Sequence, residues 1–222
     1  PWIIKAGGKL MASLPTRRKI LKDLRRIHRS ERMVFVHGGG PQIEVELKRN
    51  NVAAHFVNGR RVTTPEAMVH VERILSGEIN KGLAAELNAL GVPAVGLSCR
   101  DGALVTAKPI PGLGRAARPE KIKPALLAAL MKARFVPVVS SVGSDKGGLA
   151  VNINADDAAS AVAVAMKAGR LVFLTNVAGV RGADGKRIPV LKISQIDRLI
   201  EEGVITGGMI PKVQSARKAI QA

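Results

Sequence analysis

The chain is almost without aromatic residues: no tyrosine, one tryptophan and four phenylalanines among 222 residues. Binders of single-stranded nucleic acid stack bases on aromatic rings. Their scarcity argues against a nucleic-acid partner, even though 35 Lys and Arg face only 17 Asp and Glu. Cysteine is equally rare. Cys99 stands alone, so no internal disulfide can form, which excludes a disulfide-stapled secreted domain and suits a reducing, cytoplasmic location. No apolar run approaches the ~18 residues of a membrane span. Trp2-Ile3-Ile4 is too short for the apolar core of a secretory signal. His28, His37, His55 and His70 lie apart and lack companion cysteines, so no protein-ligated metal site is expected.

The bulk of the chain is ordinary: 46% hydrophobic and 23% charged, enough for one good core or two closely joined lobes. The formal net charge of +18 is not ordinary. It fits a solvated basic surface, a field that gathers small anionic substrates, or an acidic partner. The basic residues are scattered from Arg17 to Lys218, with one local cluster at Arg115–Lys123.

Strand-like and helix-like runs alternate. Strands are expected at Trp2–Ile4, Met33–Val36, Ala94–Leu97, Ala103–Ala107, Phe135–Val139 and Leu171–Leu174. Helices are expected at Arg17–Arg29, Gln42–Arg49, Pro65–Leu90, Glu120–Ala133, Asp156–Ala168, Ser194–Glu202 and Met209–Ile220. In Pro65–Leu90 the residues Met68, Val71, Leu75, Ile79, Leu83 and Leu87 recur at helical steps, and Gly77 marks a kink. Apolar strands without polar alternation, separated by helices, predict a mostly parallel open sheet covered on both faces, with ligands beyond the carboxyl ends of the strands.

Two such strand ends are bared by glycine. Trp2-Ile3-Ile4 leads into Lys5-Ala6-Gly7-Gly8, and Met33–Val36 into His37-Gly38-Gly39-Gly40. Glycines let an anion approach main-chain N–H groups, and a following helix adds a favourable dipole. Neither turn matches the phosphate-binding loop or the dinucleotide fingerprint. Asn152-Ile153-Asn154-Ala155-Asp156 is a polar cluster before a helix, where Asn154 suits the N-cap. Thr206-Gly207-Gly208-Met209-Ile210-Pro211-Lys212 brings a second lysine to the start of a helix. Two lysines with a carboxylate to orient them meet the chief need of phosphoryl transfer, which is positioning and positive charge.

These segments resemble the amino-acid kinase family, and within it the branch acting on acetylglutamate: IIKAGG (3–8), VHGGGPQI (36–43), NGRRVT (58–63), VGLSCRDG (95–102), VNINAD (151–156), LTNVAGV (174–180) and GGMIPKV (207–213). The resemblance implies a three-layer αβα sandwich and phosphorylation of the γ-carboxylate of N-acetyl-L-glutamate by ATP with Mg²⁺, a step of arginine biosynthesis. It implies catalytic roles for Lys5, Lys212 and Asp156. Gly39, Gly40, Arg61 and Asn152 would bind the acceptor. Gly7, Gly8, Asn176, Val177, Ala178, Gly179, Val180, Arg181, Gly208 and Met209 would line the nucleotide. Residues 1–168 would form the acceptor-binding and dimerisation lobe, with 65–90 as the homodimer helix, and 169–222 the nucleotide lobe. Three departures stand out. Asn176 replaces the family's usual Asp. Pro111–Pro119 replaces a family segment. The chain starts without Met and ends ten residues after Lys212, so the nucleotide lobe is expected to lack its C-terminal end. The alternatives are a related kinase acting on aminoadipate or glutamate attached to an acidic carrier protein, and a non-catalytic arginine-sensing domain of the same fold. The second of these would have lost its lysines.

Overall fold

A computed structural model describes residues 1–57 and 59–221. Asn58, the first residue of the NGRRVT segment, lies outside the described residues. In chain order the main elements are β1 (Trp2–Ala6), α1 (Gly8–Ala12), α2 (Leu14–His28), β2 (Met33–His37), α3 (Gly40–Arg49), β3 (Phe56–Val57), β4 (Arg60–Arg61), α4 (Pro65–Glu72), α5 (Asn80–Ala89), β5 (Ala94–Ser98), β6 (Val105–Pro109), β7 (Ala116–Ile122), α6 (Ala125–Lys132), β8 (Val136–Ser140), β9 (Val142–Ser144), β10 (Ala150–Ile153), α7 (Ala155–Ala165), β11 (Arg170–Leu174), α8 (Ile196–Glu201) and α9 (Met209–Gln221).

The main sheet has five parallel strands in the order β11-β1-β2-β8-β5. β2 is buried at all five positions, as a strand covered on both faces must be. Successive side chains point to opposite faces. Ile3, Val34, Val36 and Val139 therefore pack with Leu127 of α6 and Ala158, Ala159 and Val162 of α7. Ile4, Phe35 and Val138 pack with Leu21 and Leu24 of α2 and Leu83 and Leu87 of α5. Helices on both faces of a parallel sheet make an α/β sandwich, as expected. Among the described residues no helix is long and apolar enough to cross a membrane.

The structure departs from the sequence expectation in three places. Glu120–Ile122 are not helical; they end β7, where Ile122 and Lys121 pair with Val105 and Thr106 of β6. The helix starts only after Pro124, because a residue before proline is pushed out of the helical region. Second, β10, β7, β6 and β9 form a small closed sheet that the open-sheet expectation did not contain. Third, the irregularity expected at Gly77 in Pro65–Leu90 is not a point kink but a seven-residue π-helical segment, Arg73–Ile79, that joins α4 and α5. Its apolar stripe faces inward. Met68, Val71, Leu75, Leu83 and Leu87 are each no more than 4% exposed within the single chain, so they form its own core.

Candidate active site

β1 and β2 are neighbours at the middle of the sheet, so their carboxyl ends present the two glycine turns side by side. The contact is close. A Cβ on Gly8 would come within 2.6 Å of the Gly40 main-chain N, and one on Gly39 would run into Leu75 and Ile79 of the π-helical segment. Packing against main-chain atoms requires glycine at position 8, while at position 39 a side chain would need the Leu75 and Ile79 methyls to move. The same packing leaves the turn backbone uncovered on its outer side, where Gly38, Gly39 and Gly40 line a cleft. The buried His37 supports this turn from below. Asn80 donates to His37 Nε2 at 3.0 Å and to the Val138 carbonyl at 2.8 Å, which leaves the proton on Nδ1, facing the Gly38 carbonyl. Burial lowers the His37 pKa to about 4, so its ring is neutral.

Lys5 lies near the end of β1 and is buried. Asp156 stands on the first turn of α7, whose N-terminus is capped by the Asn154 side chain accepting from Asp156 N at 2.8 Å. One Asp156 oxygen meets Lys5 Nζ at 2.7 Å, as an ion pair outside hydrogen-bond alignment. The other accepts from Lys212 Nζ of α9 at 2.8 Å. Three distant parts of the chain thus meet at one carboxylate. Burial raises the Asp156 pKa, but Lys5 and Lys212 outweigh it, and the group sits below the usual carboxylate value. Burial lowers the Lys5 pKa; Asp156 opposes that fall and Lys212 adds to it.

The lysine pair stands where two clefts join. The first, about 410 Å³, is lined by Lys5, the three glycines, Arg60, Arg61, Asn152, Asp156 and Lys212. The second, about 720 Å³, is lined by Gly7, Gly8, Leu174, Asn176, Gly208 and Lys212. Arg61 is held over the Phe56 ring at 4.6 Å and bonds Glu44 at 3.1 Å, while its Nη1 is buried without a partner. A buried donor on a fixed guanidinium suits an incoming carboxylate. Asn152 donates to Thr63 Oγ1 at 3.1 Å at the edge of the same cleft.

The structure therefore brings together Lys5, Asp156, Lys212, Gly39, Gly40, Arg61 and Asn152 at the first cleft, and Gly7, Gly8, Asn176 and Gly208 at the second. Val177, Ala178, Gly179, Val180, Arg181 and Met209 do not line either cleft. Val180 and Met209 instead pack against a small core of Ile196, Ile205 and Val213, and Arg181 bridges to Arg187. Sequence reasoning missed Lys9 and Asn154, which line both clefts, and Arg60. Lys9 directly follows the glycine pair, and that adjacency was the available signal. Asn154 was taken only as a helix cap, and it is also that. The unassigned stretch Pro111–Pro119 sits beside the first cleft: Ala116 lines it, and Arg115 N bonds the Thr63 carbonyl at 2.6 Å.

Among the described residues no three His, Cys, Asp or Glu side chains gather to hold a metal ion. Both oxygens of Asp156 already face lysines. The described residues therefore offer Mg²⁺ no cage of protein ligands at this site.

An α/β sheet with one lysine from a central strand and one from a helix meeting on a single carboxylate, between two polar clefts, defines an enzyme site for two anionic groups. The whole chain, residues 1–222, matches the amino acid kinase family, and the chain belongs to it. It is 45% identical over 221 residues to the acetylglutamate kinase of Geobacillus kaustophilus, covering 98% of this chain and 84% of that one. It is 39% identical over 219 residues to the acetylglutamate kinase of Endomicrobium trichonymphae, covering 99% and 88%. Among solved structures it superposes on smu.665 of Streptococcus mutans with a TM-score of 0.90 and 32% identity, covering 99% of this chain and 90% of that one.

Proposed function

We propose that the protein transfers the γ-phosphoryl group of ATP to the γ-carboxylate of N-acetyl-L-glutamate. The observation that carries this reading is the Lys5–Asp156–Lys212 cluster at the junction of the two clefts. The acetylglutamate kinases among its relatives supply the acceptor. The acceptor carboxylate is already ionised at neutral pH, so no general base is needed. Its oxygen forms the new bond to the γ-phosphorus as the bond to the bridging oxygen breaks, and ADP leaves with that electron pair. Lys5 and Lys212 stabilise charge on the equatorial oxygens, together with main-chain N–H groups of Gly39 and Gly40. Asp156 is flanked by two cations and ionised; its role is to hold the lysines apart and in register. Arg61 and Asn152 fix the acceptor through its α-carboxylate and acetylamino ends. Gly7, Gly8, Asn176 and Gly208 cradle ATP, with Val177–Arg181 and Met209 forming the loop and helix start behind it. ATP brings its own Mg²⁺.

The same reading keeps 1–168 as the acceptor lobe and 169–222 as the nucleotide lobe of a cytoplasmic enzyme. It also keeps a homodimer through 65–90. The contact must use the outward residues of that segment, including Val69, Gly77, Gly82 and Ala85, since the apolar stripe is internal. Light scattering at micromolar concentration tests the dimer. The function is tested by ADP release with free N-acetyl-L-glutamate against the same side chain attached to an acidic carrier protein. Comparable kcat/KM is expected. A preference of several hundredfold for the carrier-bound form would favour the carrier-dependent kinase instead.

A further inference from the structure

Asp157, next to the catalytic carboxylate, is engaged on both oxygens by parts of the chain far apart in sequence. Arg60 Nη2 of the β3–β4 hairpin meets Asp157 Oδ2 at 2.6 Å. Ser215 Oγ of α9 donates to Asp157 Oδ1 at 3.0 Å. The Asp157 side chain is 11% exposed, that of Arg60 21%, and Ser215 is 2% exposed. The contacts are therefore largely shielded from solvent, where a charge-assisted bond is stronger than at a free surface.

The two parts that Asp157 joins belong to different clefts. The hairpin carries Phe56 and Arg61, which wall the acceptor side. Arg60 and Arg61 are consecutive in a strand and project to opposite faces, so Arg61 serves the cleft with Glu44 while Arg60 reaches α7. α9 starts at the nucleotide side, after Gly207 and Gly208, and carries Lys212. Lys212 and Ser215 are three residues apart, hence neighbours on one face of α9. They bond the consecutive carboxylates Asp156 and Asp157. α9 is thus fixed to α7 at two points, and the second is shared with the acceptor hairpin.

We infer that the Arg60–Asp157–Ser215 chain couples acceptor binding to nucleotide binding. An acceptor held by Arg61 braces the hairpin and hence the Arg60–Asp157 contact, and Asp157 in turn holds α9 and Lys212 in place for the nucleotide. The inference rests on the functional reading above. Arg60, Asp157 and Ser215 act as positioning residues: the chemistry belongs to the lysines, and these three set how strongly each ligand favours the other. By linkage the effect is reciprocal.

The test is calorimetric titration of N-acetyl-L-glutamate into the protein with and without a non-hydrolysable ATP analogue, and the converse titration. Wild type is expected to bind the acceptor about fivefold or more tightly once the analogue is bound, with the same ratio in the converse experiment. Ser215→Ala, which touches neither cleft, should bring that ratio close to one while changing affinity for either ligand alone by less than about threefold. Arg60→Ala should also abolish the ratio, and Arg60→Lys should restore part of it. Arg60→Ala combined with Ser215→Ala should lose no more coupling than either alone, since both act through one carboxylate. If Arg60→Ala fails to melt cooperatively, Ser215→Ala decides. Independent binding in wild type, full coupling in Ser215→Ala, or additive losses in the double variant would overturn the inference and leave the functional reading standing. Failure of wild type to bind either ligand would instead bring down the functional reading.

Discussion

Asp156→Asn is the most demanding single perturbation of this site. It keeps the shape of the side chain and removes the charge between two lysines whose ammonium groups lie 2.7 and 2.8 Å from it. Lys5 is then a buried cation without a counter-ion, facing Lys212. Removing one partner of a buried ion pair costs about 3–5 kcal/mol. In a domain of this length each kcal/mol lowers Tm by about 2–4 °C, so a fall of roughly 6–20 °C is expected in a thermal melt. Catalysis should suffer as well. Lys5 already titrates below its ordinary value because of burial and Lys212, and only Asp156 opposes that fall. Without Asp156 the Lys5 pKa drops further, so the alkaline limb of the kcat–pH profile should move to lower pH. Lys212→Ala in the Asp156→Asn background should recover part of the lost stability by relieving the repulsion between the lysines. A variant with wild-type Tm and an unmoved alkaline limb would refute the reasoning.

Lys5→Ala and Lys212→Ala should each lower kcat by about 10²–10³ with little change in acceptor KM, because each cation acts on charge that develops during transfer. Arg61→Ala should mainly raise the acceptor KM in steady-state assays, since the α-carboxylate it is proposed to hold keeps its charge throughout. Gly8→Ala should force the two glycine turns apart, because its Cβ would meet main-chain atoms that cannot turn aside. A loss of about 1–3 kcal/mol in urea unfolding is expected, with activity falling too. His37 is held neutral with a pKa of about 4, against an ordinary 6.5. Its contribution to stability is fully present above pH 6.5 and is lost as pH falls towards 4, about 3 kcal/mol in total at 1.36 per pKa unit. Urea titrations at pH 7, 5.5 and 4.5 should show that slope, and His37→Gln should flatten it.

The strands of the main sheet were legible because a strand buried on both faces writes an unbroken apolar run, as Met33–Val36 does. The glycine turns were legible because glycines bunched directly after such runs signal a close approach, which the fold realises at Gly8 and Gly39. The small closed sheet was not legible. β7 reads AARPEKI, with a proline and three charges in seven residues, and is mostly solvent-facing, so it has no apolar signature. Its strand state comes from pairing with β6, across a register shift between Thr106 and Ala107. The periodicity of Pro65–Leu90 showed an apolar stripe but not what it packs on; the structure places it against α3 on one side and the sheet on the other. At the site, Lys5, Lys212 and Asp156 could be named from their motifs, because glycines and caps flank them. Arg60 could not be distinguished from Arg61 by pattern. Only the fold shows that one faces Asp157 and the other Glu44.

The central claim is that the acceptor is the side-chain carboxylate of free N-acetyl-L-glutamate. Incubating the protein with ATP, Mg²⁺, N-acetyl-L-glutamate and hydroxylamine traps an acyl phosphate as its hydroxamate. The account predicts hydroxamate in step with ADP for the wild type, and at least about a hundredfold less for Lys212→Ala. A wild-type protein that binds both ligands and yields no hydroxamate would contradict it.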